Sequence, residues 1–500
     1  MRFSRFSSNV TTNNTQQDEL SSLAETKQQK GYQWTALSVT TVGALLASIQ
    51  GSALLIALPN ILAELHATFL TIIWVLLGYL LIVTVLTPII GRLADLWGRK
   101  RLYNAGFVAF TIGSLMSGLA QPQFHGGDLI VGRVIQGLGA ALLITNSTVI
   151  VTDAFRKGQV GLGLGVNQIA GAAGFLIGPI IGGLLTEFSW RWVFLFNVPI
   201  GIFGALWGIW RLREPVRPLE RQPIDWFGAI TLSIGLFGIL LALSMLGFPL
   251  LSQAVTIAIL VIGIVSLVLF VAIEPRIKVP LIQLRLFRSR LFALANLSGL
   301  LNGIARGAVL FLLIFFLQGP YGKDPLTAGL MLTPFGAAFM IIGPLSGRLS
   351  DRVGSRLLTP IGLGISAVGL FGLTTINQFT PYWLLAVYMA LMGGGSGFFV
   401  SPNTNAIMSS VEPHTRGAAA GILNMLNNTG SMLSIAIVFP LALSQIPFQA
   451  IQQVFITGGG MGHFASAIPL FLSGLHRAFL VSFMLSVIAA IVAVLRPAHR

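Results

Sequence analysis

The sequence contains no cysteine, which excludes disulfide bridges, thiolate nucleophiles and cysteine-bound metals from any account of its chemistry. Charge is almost as scarce: only 9% of the 500 residues are Asp, Glu, Lys or Arg, and only 15 of those are acids. A soluble domain of ordinary composition carries about 25% charged residues. The six histidines are scattered at 66, 125, 414, 463, 476 and 499, so no His/Asp cluster suggests a hydrolytic or metal centre. No GxxxxGK[ST] loop is present to cradle a nucleoside triphosphate, which argues against direct ATP drive. No cofactor and no metal are expected, and a membrane-embedded enzyme is the least favoured reading.

What the chain has instead is apolar length. Hydrophobic residues make up 54% of it, in runs of the roughly 20 residues that a helix needs to cross the hydrocarbon. These runs predict spans at 35–57, 71–90, 102–120, 128–153, 160–186, 192–211, 226–246, 254–273, 291–318, 328–346, 357–377, 382–409, 417–440 and 478–495. Such long, continuous runs do not suit barrel strands, and in lipid only a helix pairs its own backbone polar groups. The expected fold class is therefore an all-α polytopic membrane protein with 14 transmembrane helices. Residues 1–32 are polar, without the apolar core of a signal peptide, and are expected to form a disordered cytoplasmic tail.

The net charge of +15 follows from topology. With the amino terminus inside, 25 Lys/Arg fall on the cytoplasmic side, only Arg191, Lys323 and Arg477 fall outside, and Arg133 and Arg306 lie within spans. Cytoplasmic loops hold the positive charge, so both termini are expected in the cytoplasm. The basic excess faces the lipid bilayer surface and requires no nucleic acid.

An internal repeat organises the rest. GRLADLWGRKR at 91–101 recurs as GRLSDRVGSR at 347–356, each between the second and third spans of its half, at an offset of 256 residues. Six spans occupy only about 180 residues here, so two more helices fit between the halves. The predicted layout is an N-terminal six-helix bundle (33–212), a linker with two extra transmembrane helices (213–274) and a C-terminal six-helix bundle (275–500). Repeated six-helix halves with a site between them near mid-membrane are the architecture of many secondary transporters.

GRLADLWGRKR resembles the loop signature of the major facilitator superfamily, and RVIQGLGAA (133–141) resembles its fourth-helix signature. GVNQIAGAAGFLIGPIIGG (165–183) is similar to the fifth-helix antiporter signature at every spacing: Gly165, Gly174, Gly178, Pro179, Gly182 and Gly183. WRWVFLFNVPIG (190–201), PLIQLRLFRSR (280–290) and the extra helices look like the fourteen-helix drug:proton antiporter family (EmrB/QacA-like). The resemblance implies the major facilitator fold, a small-molecule substrate and multidrug-type efflux in exchange for protons from a bacterial plasma membrane. It also implies a latch between bundles built on Gly91, Asp95, Gly98 and Arg99, with Asp351 and Arg352 in the second copy. The chain is expected to act as a monomer.

Read by their chemistry, several residues become candidates. Gly171, Gly174, Gly178 and Gly182 form one stripe of a helix, which allows another backbone to approach closely, and Pro179 kinks that helix. Arg133 sits in a span where a charge costs about 2.5–3.5 kcal/mol on insertion scales, so it needs a partner; Gln136 is one turn along and Gly137 leaves space. Gln50 stands where the resemblance leads one to expect an aspartate, and it cannot titrate. No acid lies near the middle of a predicted span, which leaves Asp128, at the mouth of the fourth, as the remaining proton candidate. Arg306 is the second intramembrane cation. Substrate-cavity candidates are Trp74, Tyr79, Asn167, Gln168, Phe315, Gln318, Asn403, Asn424 and Asn428. The alternative reading, favoured by Gln50, is a proton-independent uniporter or an exporter of a lipid-like or anionic metabolite.

Overall fold

A computed structural model describes residues 6–155, 160–214, 225–247, 252–277, 280–412, 415–443 and 467–497. All regular structure among them is helical. In chain order the long helices are α1 (Phe6–Glu64), α2 (Phe69–Trp97), α3 (Arg99–Gly118), α4 (Gly127–Ala154), α5 (Val160–Phe188) and α6 (Trp192–Leu195 continued by Asn197–Arg211). The central pair is α7 (Trp226–Gly247) and α8 (Gln253–Ile273). There follow α9 (Arg290–Arg306 continued by Val309–Gln318), α10 (Pro325–Met331 continued by Thr333–Val353) and α11 (Ser355–Leu373). The last three are α12 (Tyr382–Ser409), α13 (Arg416–Leu443) and α14 (Ala467–Val494).

Thirteen of these are long and apolar enough to cross a membrane. The exception is α3, which opens on Arg99, Lys100 and Arg101 and carries Asn104, Ser114 and Ser117. Those polar side chains lower its hydropathy, yet α3 still packs along α4 and α6. It occupies the place of the third predicted span.

Two boundaries differ from expectation. Helix α1 extends back to Phe6, through the stretch expected to be disordered. Residues 6–30 contain neither Gly nor Pro to stop a helix, while the membrane-spanning part of α1 begins at Gly31. Helix α14 begins at Ala467, well before the predicted 478, because IPLFLSGL (468–475) is apolar enough to join the span. Residues 444–466, between the predicted spans 417–440 and 478–495, lie outside the described residues.

The repeat is visible in the packing. In the first half α1 packs on α5, α4 on α2 and α3, and α3 on α6; in the second half α9 packs on α13, α12 on α10 and α11, and α11 on α14. The same pairs recur in the same order. The turn after each motif copy is built alike as well: Gly98 takes φ +94° and Gly354 φ +89°, a region that side chains with a Cβ rarely adopt. Both glycines let one helix end and the next begin without an intervening loop.

Between the halves α5 meets α10 and α2 meets α13, the same relation written twice. The extra pair α7 and α8 pack on each other, and α7 also touches both α2 and α13. The accessory hairpin therefore lies against the seam between halves, touching a helix of each.

Candidate functional site

The glycine-rich α5 has two working faces. On one, a Cβ added to Gly174 would lie 3.0 Å from Ser48 Cβ and 3.1 Å from the Leu45 carbonyl. At Gly178 it would meet the Ser52 hydroxyl and lie 2.9 Å from the Ile49 carbonyl, and at Gly182 it would stand 2.7 Å from Ala53 Cα. Real side chains essentially never come as close as at Gly178 and Gly182, and the approach at Gly174 is tighter than most, so these three glycines set the distance between α5 and α1 of the same half. The stripe seen in the sequence is thus a weld within the first half.

The other face turns to the second half. A Cβ at Gly183 would lie 2.7 Å from both Leu326 Cα and the Pro325 carbonyl of α10. One turn earlier the Pro179 carbonyl abuts Gly329, and one turn before that Leu176 abuts Gly336, where a Cβ would lie 2.6 Å from the Leu176 side chain. The Phe175 and Phe335 rings meet edge to face at 6.1 Å. On the neighbouring pair of helices Gln318 donates from Nε2 to the Ile56 carbonyl at 3.0 Å. All these contacts lie in the part of the helices nearer Glu64, so the halves are sealed at that end. Within the seal is a small, mostly apolar cavity lined by Ser52, Leu55, Phe175, Leu176, Pro179, Leu310, Leu332, Phe335 and Gly336.

Arg133 lies beside the seam, inside the first half. It is 1% exposed, and its Nε donates to the Val75 carbonyl of α2 at 3.1 Å. A second nitrogen donates to Gln136 Oε1, whose amide in turn donates to Ser114 of α3 at 2.7 Å. The guanidinium stacks over the Tyr79 ring at 4.2 Å. A Cβ on Gly137 already stands 2.8 Å from the Tyr79 carbonyl, so α2 and α4 can close around the arginine only with glycine there. Arg133 therefore joins α2, α3 and α4 without a carboxylate and does not reach out to the membrane surface.

Asp128, five residues earlier, accepts the Gln121 N–H at 2.7 Å and the Leu129 N–H at 2.8 Å. It fixes the loop leading into α4, and among the described residues no ion pair joins it to Arg133. Gln50 is fully buried; its Oε1 accepts from Asn197 of α6, and its Nε2 has no hydrogen-bond partner. It looks across to α6 within the first half. Asn197 belongs to the WRWVFLFNVPIG segment, whose Trp190 and Arg191 also have a use. Trp190 donates to Glu64 at 2.8 Å, and Arg191 pairs with Glu64 and donates to the Ala120 carbonyl at 3.2 Å.

Arg306 sits beside the break in α9, where Ser434 accepts the freed Ala308 N–H at 2.8 Å. Its guanidinium lies 6.0 Å from the Phe339 ring, and its Nε is buried without a partner. This is the one candidate cation that faces the second half's α10.

The described cavity candidates make varied contacts. The Trp74 ring meets Phe237 of α7 at 5.4 Å, Tyr79 serves Arg133, and Phe315 packs on Phe311 at 4.9 Å inside the core. Asn167 bridges to Ser147 at 2.6 Å. Gln318 bridges the halves, Asn403 is buried beside Gly299, Asn424 is exposed and Asn428 half-buried. Residue type had marked them, but the rotation of each helix decides what a side chain faces.

In the expected latch a Cβ added to Gly91 would lie 3.9 Å from Thr145 of α4, and Arg99 pairs with Asp153 at the end of α4. Glu214, just past α6, accepts the Arg99 and Lys100 N–H groups at 2.8 and 3.1 Å, capping α3. These contacts tie α3, α4 and α6 together within one half. Arg352 is exposed. The side chains of Asp95, Gln168 and Asp351 and the surroundings of Gly165 lie outside the described residues.

Sequence reasoning missed Arg496 altogether, counting it as a terminal cytoplasmic charge. It is 1% exposed and donates to Ser298 and, at 3.4 Å, to Thr359. Burial pulls it down to about 10.

The model of the Major Facilitator Superfamily matches residues 40–435. The chain is 31% identical to the riboflavin transporter RibZ of Clostridioides difficile, covering 81% of this chain and 87% of RibZ. It is 31% identical to multidrug resistance protein 3 of Bacillus subtilis, over 79% and 77% of the two chains. A bacterial homologue of the human lysosomal transporter Spinster, solved in an inward-facing, unoccupied conformation, superposes with a TM-score of 0.68 at 17% identity, covering 93% of this chain and 97% of that one.

Proposed function

The chain belongs to the major facilitator superfamily, and from that premise we propose that it is a secondary active exporter of small amphipathic compounds, working by alternating access in exchange for protons. The observation that carries this reading is the double face of α5. Its Gly174, Gly178 and Gly182 stripe is locked to α1, while Leu176, Pro179 and Gly183 only rest against α10 of the other half. A helix fixed to one rigid body and in separable contact with another is what a rocking motion requires. With both termini in the cytoplasm, the sealed Glu64 end is the outer one and the described state faces inward.

The seam cavity, too small for cargo in this state, is walled by apolar and aromatic side chains with a single hydroxyl, Ser52, a chemistry that suits amphipathic cargo where the seam opens. Relatives named for multidrug resistance and for riboflavin transport support cargo of that size class. The two halves of one chain already complete the seam, so the transporter works as a monomer in the bacterial plasma membrane.

A second reading is proton-independent export of a lipid-like or anionic metabolite. Gln50, in place of an acid and committed to Asn197, favours it, as does the unpartnered Nε of Arg306.

Proteoliposomes separate the two. Loaded with riboflavin or with a lipophilic dye, they are expected to release cargo through the wild type with proton movement in the opposite direction. Cargo release at full rate with no proton movement and no dependence on pH would replace the antiport reading by the second one. In the same assay Asp128→Asn asks whether that acid carries the proton in addition to fixing the loop.

A further inference from the structure

Two acids that the sequence places in separate connectors meet at the base of the accessory hairpin. Asp225 immediately precedes α7 and Glu274 immediately follows α8, and the antiparallel pairing of these helices brings the two carboxyl groups together. Each uses one oxygen on the backbone: Asp225 Oδ1 accepts the Gly228 N–H at 2.8 Å, and Glu274 Oε1 accepts the Ile282 N–H at 2.6 Å. The other two oxygens, Asp225 Oδ2 and Glu274 Oε2, are buried and have no hydrogen-bond partner. Glu274 is 1% and Asp225 9% exposed.

The two partnerless oxygens crowd the same space. The point that a Gly228 Cβ would occupy lies 2.8 Å from Glu274 Oε2 and closer still to Asp225 Oδ2. As carboxylates both are acceptors only, so two negative acceptors would face each other away from water, an arrangement of like charges that favours proton uptake by one of them. A proton between them gives one group a donor and the other a hydrogen bond.

No described cation offers a substitute. Helix α7 carries no charged residue. Arg276 after α8, and Arg285, Arg288 and Arg290 in the connector and the start of α9, are exposed, and none forms an ion pair with either acid among the described residues. Helix α13 opens on Arg416 and α2 carries Arg92 and Asp95, and these side chains, like Arg221 and Lys278 of the connectors, lie outside the described residues.

We propose that Asp225 and Glu274 form a proton-binding site in which one carboxyl group donates to the other's carboxylate. The site has a mechanical connection: Glu274 holds Ile282 of the connector leading into the second half, and α7 touches α2 and α13 of the two halves. Loss of the proton sets two charges against each other and loosens the base of the hairpin that spans the seam. The inference goes beyond the export reading and does not rest on it, because its readout is protonation of the pair and not movement of cargo.

Infrared spectroscopy of the full chain in lipid nanodiscs, titrated with pH, tests it. The wild type is expected to show a protonated-carboxyl stretch at neutral pH that disappears as the pH is raised, together with a fall in the thermal unfolding midpoint over the same range. Asp225→Asn and Glu274→Gln each keep an oxygen for the backbone N–H and leave a single acid beside an amide donor. Each is expected to lose the neutral-pH band and to flatten the pH dependence of unfolding. A wild type without a protonated carboxyl at neutral pH overturns the proposal, as does a band that survives both substitutions. A band that sodium ions abolish at constant pH and ionic strength also overturns it, making the pair a metal-cation site.

Discussion

Valine in place of Gly183 is expected to shift the protein by about 5- to 150-fold toward a state open at the Glu64 end, and to halt transport. The new Cβ would lie 2.7 Å from Leu326 Cα and from the Pro325 carbonyl, backbone atoms that cannot swing aside as a flexible side chain can. Overpacking of this kind costs about 1–3 kcal/mol, and the cost falls only on the state in which α5 and α10 touch. Gly182→Val is the matched control. Its Cβ would stand 2.7 Å from Ala53 Cα within the same half, so it strains both states and is expected to lower the unfolding midpoint without opening either end. Labels at the two ends, with thermal unfolding beside them, distinguish a shift of state from general destabilisation.

Lysine at position 133 is expected to lower transport at least about tenfold, although the charge is kept. Arg133 addresses the Val75 carbonyl, Gln136 and the Tyr79 face at once, which a planar fork can do and a single ammonium cannot. A hydrogen bond to a charged group contributes about 1.5–3 kcal/mol, and about 1.4 kcal/mol is a factor of ten. Arg133→Gln removes the charge as well and leaves the Val75 carbonyl short of a donor; it is expected to lower the unfolding midpoint further than lysine does. Wild-type transport by the lysine variant would mean that only the positive charge matters, and that the shape of the contact between α2 and α4 does not.

The fold was legible because its signals are long and periodic. Apolar runs placed the helices, the Gly-Arg-Leu-x-Asp repeat placed the two halves, and the offset of the repeat left room for α7 and α8. The even spacing of Gly174, Gly178 and Gly182 gave the stripe, since helical angle follows from spacing alone. What the spacing could not give was the partner. The stripe docks on α1, and the contact with the other half is made by Leu176, Pro179 and Gly183, offset around the helix. Trp74, Tyr79 and Phe315 were chosen by type, and their contacts with Phe237, Arg133 and Phe311 could not be read in advance, because an aromatic ring in a membrane helix has the same identity whichever way it faces.

Polar partners were harder still to foresee. Gln50 and Asn197 are joined only by the crossing of α1 and α6, and Arg191 meets Glu64 only where the ends of those helices converge. Glu214 caps α3 from beyond α6, with no local sequence sign of the contact. The acids Asp225 and Glu274 read as ordinary charges at helix ends, and only the closing of the α7–α8 hairpin brings them together. Arg496 read as a surface charge because its position past the last span hides the pocket formed by Ser298, Thr359 and Phe399.

The central claim is that α5 belongs rigidly to one half and rocks against α10 of the other. A chain without cysteine permits clean placement of paired spin labels. Glu187→Cys with Lys323→Cys reports the Glu64 end and Arg101→Cys with Arg356→Cys the opposite end, all four positions being exposed. Distance distributions in lipid nanodiscs are to be compared with and without Gly183→Val. The account predicts that the substitution lengthens the first distance and shortens the second together. Lengthening at the Glu64 end with the opposite end unchanged, or no change at either, would contradict it.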